Sequence, residues 1–283
     1  MYTDFYRLNL PPFQLSPDPR FFFVSSGHKK ALAYLTYGIS QGEGFVVVTG
    51  EVGAGKTTLV RHLLADLDPE TYVTAHIVNS RLGATASMRS AAAAFGIPHA
   101  SLDKASLLAR IETFLTAQHT AGRKVILVID ESQNIPFNAL EELRMLSNFQ
   151  IGATSLLQCI LVGQPQFRDL MAQPAFEQIR QRVVASCHLY PLSEAETRAY
   201  IEHRLGVAGW TGDPAFTPEA FVAIHRWTSG VPRRINTLCG RLLLFGFLEG
   251  KHRFDADDVK QVAAEMARET GPLSVGIVDE EAP

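Results

Sequence analysis

The chain has 283 residues, 46% hydrophobic and 19% charged, with 26 Lys and Arg against 29 Asp and Glu and a formal net charge of −3. That is apolar material for one large or two modest packed domains, which excludes a disordered tail and a small disulfide-stapled module. The balance argues against a protein built chiefly to coat nucleic acid, because phosphate-backbone affinity comes from clustered Lys and Arg.

Cys159, Cys187 and Cys239 are widely spaced, form no C-x-x-C pair and read as reduced, buried thiols. The first residues lack the basic start and apolar run of a secretory leader, and the longest apolar stretches, such as Leu242 to Leu248, fall short of the ~20 residues that span a bilayer. The expectation is a soluble, cytoplasmic chain with no membrane span of its own.

In chain order, β-rich runs at Phe45–Thr49, Tyr72–Val78, Val125–Ile129, Leu157–Val162 and Val183–Tyr190 are separated by helix-length segments. The segments are Thr57–Leu67, Ala105–Gln118, Pro136–Asn148 and Gln166–Met171. Strands apolar on both faces, joined by helical crossovers, predict a parallel sheet covered on both sides. After Pro191 the β-runs stop and four helices are expected, at Glu194–Gly206, Pro218–Trp227, Pro232–Leu248 and Ala256–Ala267. Ser193 with Glu196 fits a capping box, and Thr217 before Pro218 fits a capped first turn. The predicted division is an arm with its first helix (1–44), an α/β core (45–191), a helical lid (192–270) and a flexible tail (271–283).

The strongest local signal is Gly50-Glu51-Val52-Gly53-Ala54-Gly55-Lys56-Thr57, a complete G-x-x-x-x-G-K-[ST] pattern directly after a predicted strand and before a predicted helix. Glycines let backbone N–H groups curl round an anion, and the following helix turns its positive end to the same point. Lys56 can then reach the β- and γ-phosphates of ATP while the Thr57 hydroxyl ligates Mg²⁺. A second signal is the strand Val125–Ile129 running into Asp130-Glu131. Asp130 would hold the metal, and Glu131 would orient and polarise the attacking water. Small-molecule kinases have no need of a water-activating glutamate, so adjacent acids favour hydrolysis. Gln133 and Asn134, which follow closely, could hydrogen-bond Glu131 or a γ-phosphate, but with no supporting pattern they read as ordinary turn residues.

These residues resemble the AAA+ ATPases: a P-loop NTPase parallel sheet sandwiched by helices, followed by a small all-α lid. Gly230-Val231-Pro232-Arg233-Arg234-Ile235-Asn236 resembles that family's sensor-2 motif, which implies that Arg233 reaches the γ-phosphate from the lid. The sensor-1 position falls on Gln164 in Val162-Gly163-Gln164-Pro165. A trans-acting arginine finger falls on Arg182 or Arg180, with Arg182 slightly preferred. A narrower resemblance rests on Pro12-Phe13, Ser16-Pro17-Asp18-Pro19, His28, the phosphate loop through Thr58, Gly163-Gln164-Pro165 and the Gly230 to Asn236 run. It is to the ExeA/GspA-type ATPases of general secretion and of exopolysaccharide gene clusters. It implies a homo-oligomer such as a hexameric ring, an arm near Pro12 to Phe23 packed on the nucleotide, and an envelope or export machinery protein as partner, with peripheral inner-membrane placement through it. Secretion members continue into a membrane span and a further module, whereas here an acidic Asp279-Glu280-Glu281 tail follows the lid, which fits a shorter cytoplasmic relative or a truncated piece.

The competing reading is a DNA-binding ATP switch like the transposition helper ATPases. From Ser193 to Arg268 ten acids offset ten bases, so the lid carries no basic excess and DNA is not favoured as a partner. No histidine pattern fits a metal site and no G-x-S-x-G elbow occurs.

Overall fold

A computed structural model describes residues 1–16, 18–78 and 83–270. Pro17 and the 271–283 tail with its acidic residues lie outside the described residues. The chain opens with α1 (Tyr2–Phe5), α2 (Ser26–Gln41), β1 (Phe45–Gly50), α3 (Lys56–Ala65), β2 (Tyr72–Ile77) and α4 (Ala84–Ala94). Next come α5 (Lys104–Thr120), β3 (Lys124–Ile129), α6 (Phe137–Leu146), and the short pair β4 (Gln150–Ile151) and β5 (Thr154–Ser155). They lead to β6 (Gln158–Gly163), α7 (Pro165–Ala172), α8 (Glu177–Arg180) and β7 (Val183–Leu189). The remainder is α9 (Glu194–Val207), β8 (Ala215–Phe216), α10 (Pro218–Thr228), α11 (Pro232–Glu249), β9 (Arg253–Phe254) and α12 (Ala256–Thr270).

These elements form two compact units, residues 26–190 and residues 1–25 together with those from Pro191 onward. In the first, five parallel strands are ordered β2-β3-β6-β1-β7. Every residue of the central strands β1 and β6 is buried, which is why their sequences run apolar without alternation. One face packs Phe45, Val47, Leu127, Ile129 and Leu161 against Met88, Leu107, Ile111, Leu140 and Leu143 of the helices. At about 1.5–3 kcal/mol for each fully buried large apolar side chain, this layer is a main source of the unit's stability. Helix α4, which the sequence reading passed over, contributes Met88, Ala91 and Ala92 to that face.

The second unit packs α9 to α12 around Ile201, Leu205, Ile224, Ile235, Leu242 and Leu243. Ser193 and Glu196 form the capping box of α9, and the Thr217 hydroxyl accepts from the Ala220 N–H at the start of α10. Gly230 lies at φ +68°, where a Cβ would sit 2.0 Å from the Leu192 carbonyl oxygen, so only glycine fits between α10 and α11. The stretch read as one arm with its first helix divides between the units: α2 joins the sheet, and residues 1–25 join the helices. Tyr6, Leu8 and Phe13 of the arm are buried in the helical core, and Arg204, buried on α9, donates from Nε to the Pro12 carbonyl at 2.5 Å and from Nη2 to that of Gln14 at 3.3 Å. Its Nη1 donates to the Tyr200 hydroxyl at 3.0 Å, and its guanidinium lies 4.5 Å from the centre of the Phe21 ring. A buried guanidinium needs this many acceptors, and the arm's carbonyls supply them.

All three cysteines are free and buried. Burial pushes the Cys159 thiol up to about 12 and the Cys187 thiol up to about 11.

Candidate functional site

The carboxyl ends of β1, β3 and β6 meet at one edge of the sheet, the edge where open α/β sheets bind ligands. Strand β3 delivers Asp130 directly after buried Ile129, β6 reaches Gln164 just past its terminal Gly163, and β1 runs through Thr49 and Gly50 into the loop. Beyond β1 the loop from Glu51 to Gly55 turns back, with Gly55 at φ +97° as the N-cap of α3. That conformation aims the first N–H groups of α3 at the loop's concavity. Lys56 is buried, and its Nζ donates to the Gly50 and Glu51 carbonyls, each at 2.8 Å.

Thr57 Oγ1 donates to Asp130 Oδ2 at 2.6 Å, joining the loop after β1 to the end of β3. Asp130 is buried, and its Oδ1 accepts from the Glu131 N–H at 2.9 Å. The hydroxyl and carboxylate form a pair of hard oxygen donors, a set that suits Mg²⁺. Glu131 adopts φ +52°, ψ +40°, a left-handed conformation that costs a non-glycine residue about 1–2 kcal/mol and recurs at functional sites. It is stabilised by the Asn134 N–H, which donates to the Glu131 carbonyl at 2.9 Å.

Gln164 is the N-cap of α7, directly after β6. Its Nε2 donates to Glu131 Oε2 at 3.1 Å. Gln133, which the sequence reading took for a turn residue, donates to the same oxygen at 2.6 Å and accepts from the Gln164 N–H at 3.0 Å. A second residue missed from sequence is His76 on β2. Its Nε2 is buried, has no hydrogen-bond partner among the described residues and lies 3.8 Å from Asp130 Oδ2. Burial lowers its pKa, and the nearby Asp130 charge opposes that shift. The signal was there: one histidine in an apolar strand that pairs in register with the strand leading to Asp130.

The loop residues from Gly50 to Thr58, together with Asp130, Glu131 and Gln164, therefore share one edge. Arg182 does not, because its carbonyl accepts from the Phe45 N–H, which puts it at the opposite, amino end of β1. Its Nη1 contacts Ser147 Oγ at 3.3 Å. Arg180 is exposed, with Nη1 donating to the Met171 carbonyl at 2.9 Å. Arg233 belongs to the other unit, exposed in the first turn of α11.

Residues 39–171 match the protein family described as AAA domain. Over 98% of its length the chain is 39% identical to general secretion pathway protein A of Aeromonas hydrophila, and it covers 51% of that protein. It thus spans about half the length of the curated relative it matches. Among solved structures it is similar to the ORC2 protein of Aeropyrum pernix in its ADPNP-ADP complexes, at 17% identity and a TM-score of 0.68, covering 91% of this chain and 72% of that one. It is also similar to the RuvB Holliday junction branch migration motor of Thermotoga maritima, at 19% identity and a TM-score of 0.58, covering 86% and 70%. At these identities the structural likeness speaks for the fold.

Proposed function

We propose that this chain, which matches an AAA domain over residues 39–171, hydrolyses Mg-ATP as a homo-oligomer to drive assembly or remodelling of a secretion or polysaccharide-export complex. The 39% identity to general secretion pathway protein A supports the export context and a cytoplasmic, peripheral inner-membrane location through a partner. The observation that carries the chemistry is the 2.6 Å hydrogen bond from Thr57 to Asp130, which brings the phosphate loop and the acidic strand end together.

In this reading the N–H groups of residues 51–58 hold the phosphates, and Lys56 exchanges its two loop carbonyls for β- and γ-phosphate oxygens. Thr57 and Asp130 hold Mg²⁺, which neutralises phosphate charge when bound. Glu131 orients the attacking water, and Gln164 contacts the γ-phosphate. Arg233 answers to the nucleotide of its own subunit, and an arginine from the neighbouring subunit completes the charge stabilisation. Arg182 and Arg180 are the two finger candidates, with Arg182 slightly preferred; each makes one contact inside its own chain, Arg182 with Ser147 Oγ and Arg180 with the Met171 carbonyl.

The test is the sedimentation mass of the Glu131→Gln variant with and without Mg-ATP, repeated with duplex DNA. Nucleotide-driven oligomers indifferent to DNA are expected, and Arg182→Ala or Arg180→Ala should reduce ATP turnover while leaving ATP binding intact. A monomer under every condition would refute the oligomeric mechanism, and assembly that requires DNA would replace the export reading with a DNA-directed one.

A further inference from the structure

The hydrogen bonds around Glu131 close into a ring of three residues, in which Gln164 takes part through both its backbone N–H and its side chain. Gln133 sits in the single 3-10 turn Ser132–Asn134 after β3. Its Nε2 donates to Glu131 Oε2 at 2.6 Å, and its Oε1 accepts from the Gln164 N–H at 3.0 Å. Gln164 Nε2 returns to the same Glu131 oxygen at 3.1 Å. The two ends of the Gln133 amide cannot be exchanged here. A carboxylate oxygen only accepts and a backbone N–H only donates, so the surroundings fix the amide's orientation.

We infer that Gln133 is a positioning residue for hydrolysis: its amide holds Glu131 in register with Gln164, and so aims the carboxylate at the attacking water. This rests on the reading of Glu131 as the group that orients that water. Glu131 is exposed at a strand end, and its side chain turns about three bonds. Such a side chain samples several rotamers, of which few point at one water position. Two amide N–H donors converging on Oε2 select among them, and a closed ring of bonds resists distortion better than its separate members.

The same ring gives Gln164 a direct mechanical connection to Glu131. The Gln164 backbone holds one end of Gln133, and its side chain holds the carboxylate. A change in Gln164 on nucleotide binding therefore reaches Glu131 by two routes, one of them through Gln133. A turn residue acting only in stability would pin α7 to the end of β3 and would leave the aim of the carboxylate unaffected.

The experiment compares Gln133→Met and Gln133→Glu, each alone and combined with Glu131→Gln, reading ATP Kd and the single-turnover hydrolysis rate. Met keeps the length and loses both hydrogen bonds. Glu keeps the acceptor for the Gln164 N–H and replaces the donor facing Glu131 with a second carboxylate. Both single variants should hydrolyse ATP about 10- to 100-fold more slowly, the cost of an approximately 1 Å misplacement, with Kd within about twofold of the parent protein. Combined with Glu131→Gln, neither should slow the reaction further, because no carboxylate remains to be aimed.

Hydrolysis rates of both single variants within about twofold of the parent would overturn the inference. So would an equal, additive loss in the Glu131→Gln background. If Gln133→Met lost ATP affinity while Gln133→Glu kept both affinity and rate, the role would be structural and the inference would fall. Undiminished turnover by Glu131→Gln alone is a different result, and it would remove the reading of Glu131 on which the inference rests.

Discussion

Lys56 and Arg204 are both buried cations, one in each unit, and both donate to main-chain carbonyls. Their settings differ in reach. Lys56 donates to two carbonyls of its own loop, five and six residues back, which a phosphate can replace. Arg204 joins residues about 190 positions apart in sequence, adds a tyrosine hydroxyl and stacks on Phe21. An ammonium is a compact charge on a flexible stem, suited to exchange, whereas a guanidinium is a planar fork suited to a fixed set of acceptors. A buried charge with local partners is available for ligand chemistry, and one with distant partners holds the fold.

Lys56→Ala and Arg204→Leu should therefore separate. Lys56→Ala is expected to weaken ATP binding about 30-fold or more, since truncating one partner of a buried charge pair costs binding about 2–5 kcal/mol, with little change in the unfolding midpoint. Titration with a fluorescent ATP analogue checks the first part, and retained affinity would undo the assignment of Lys56. Arg204→Leu should cost the helical unit about 3 kcal/mol, because it strands the carbonyls and hydroxyl that the guanidinium satisfied. Both tryptophans, Trp210 and Trp227, lie in that unit, so urea unfolding followed by tryptophan fluorescence reports it directly. An unchanged midpoint would mean that the arm is held by other contacts.

A smaller effect is expected at Gly230. Gly230→Ala forces a side chain into left-handed backbone against the Leu192 carbonyl, at about 1–3 kcal/mol, visible in the same fluorescence transition. The mildest test concerns the thiols. Cys159 and Cys187, pushed up by burial, should react slowly with Ellman's reagent in the native protein, and all three cysteines should react promptly in urea. Fast native labelling would show that the core opens readily.

The same contrast explains what could be read from the sequence. The phosphate loop is eight consecutive residues whose chemistry is local, and Asp130-Glu131 follows directly on an apolar run, so both were legible. Helix α4 was not, because alanines lie on every side of it and blur the i, i+3, i+4 face of Met88, Ala91 and Ala92 that the fold buries. The polar contacts that Arg204 makes with the arm reach about 190 residues back along the chain, and the function inferred for Gln133 depends on Gln164, 31 residues away. In each case a polar side chain meets a partner that only the fold brings near, and a glutamine after Asp-Glu-Ser looks like any turn residue until β6 is placed beside β3.

If the edge shared by Thr57, Asp130 and Glu131 binds ATP and hydrolyses it through Glu131, loss of that carboxylate should spare binding and slow turnover. The direct measurement is ATP affinity and phosphate release by the parent protein and Glu131→Gln side by side in Mg²⁺. The predicted result is unchanged affinity with hydrolysis slowed about 100-fold or more. Equal turnover by the two proteins would contradict it.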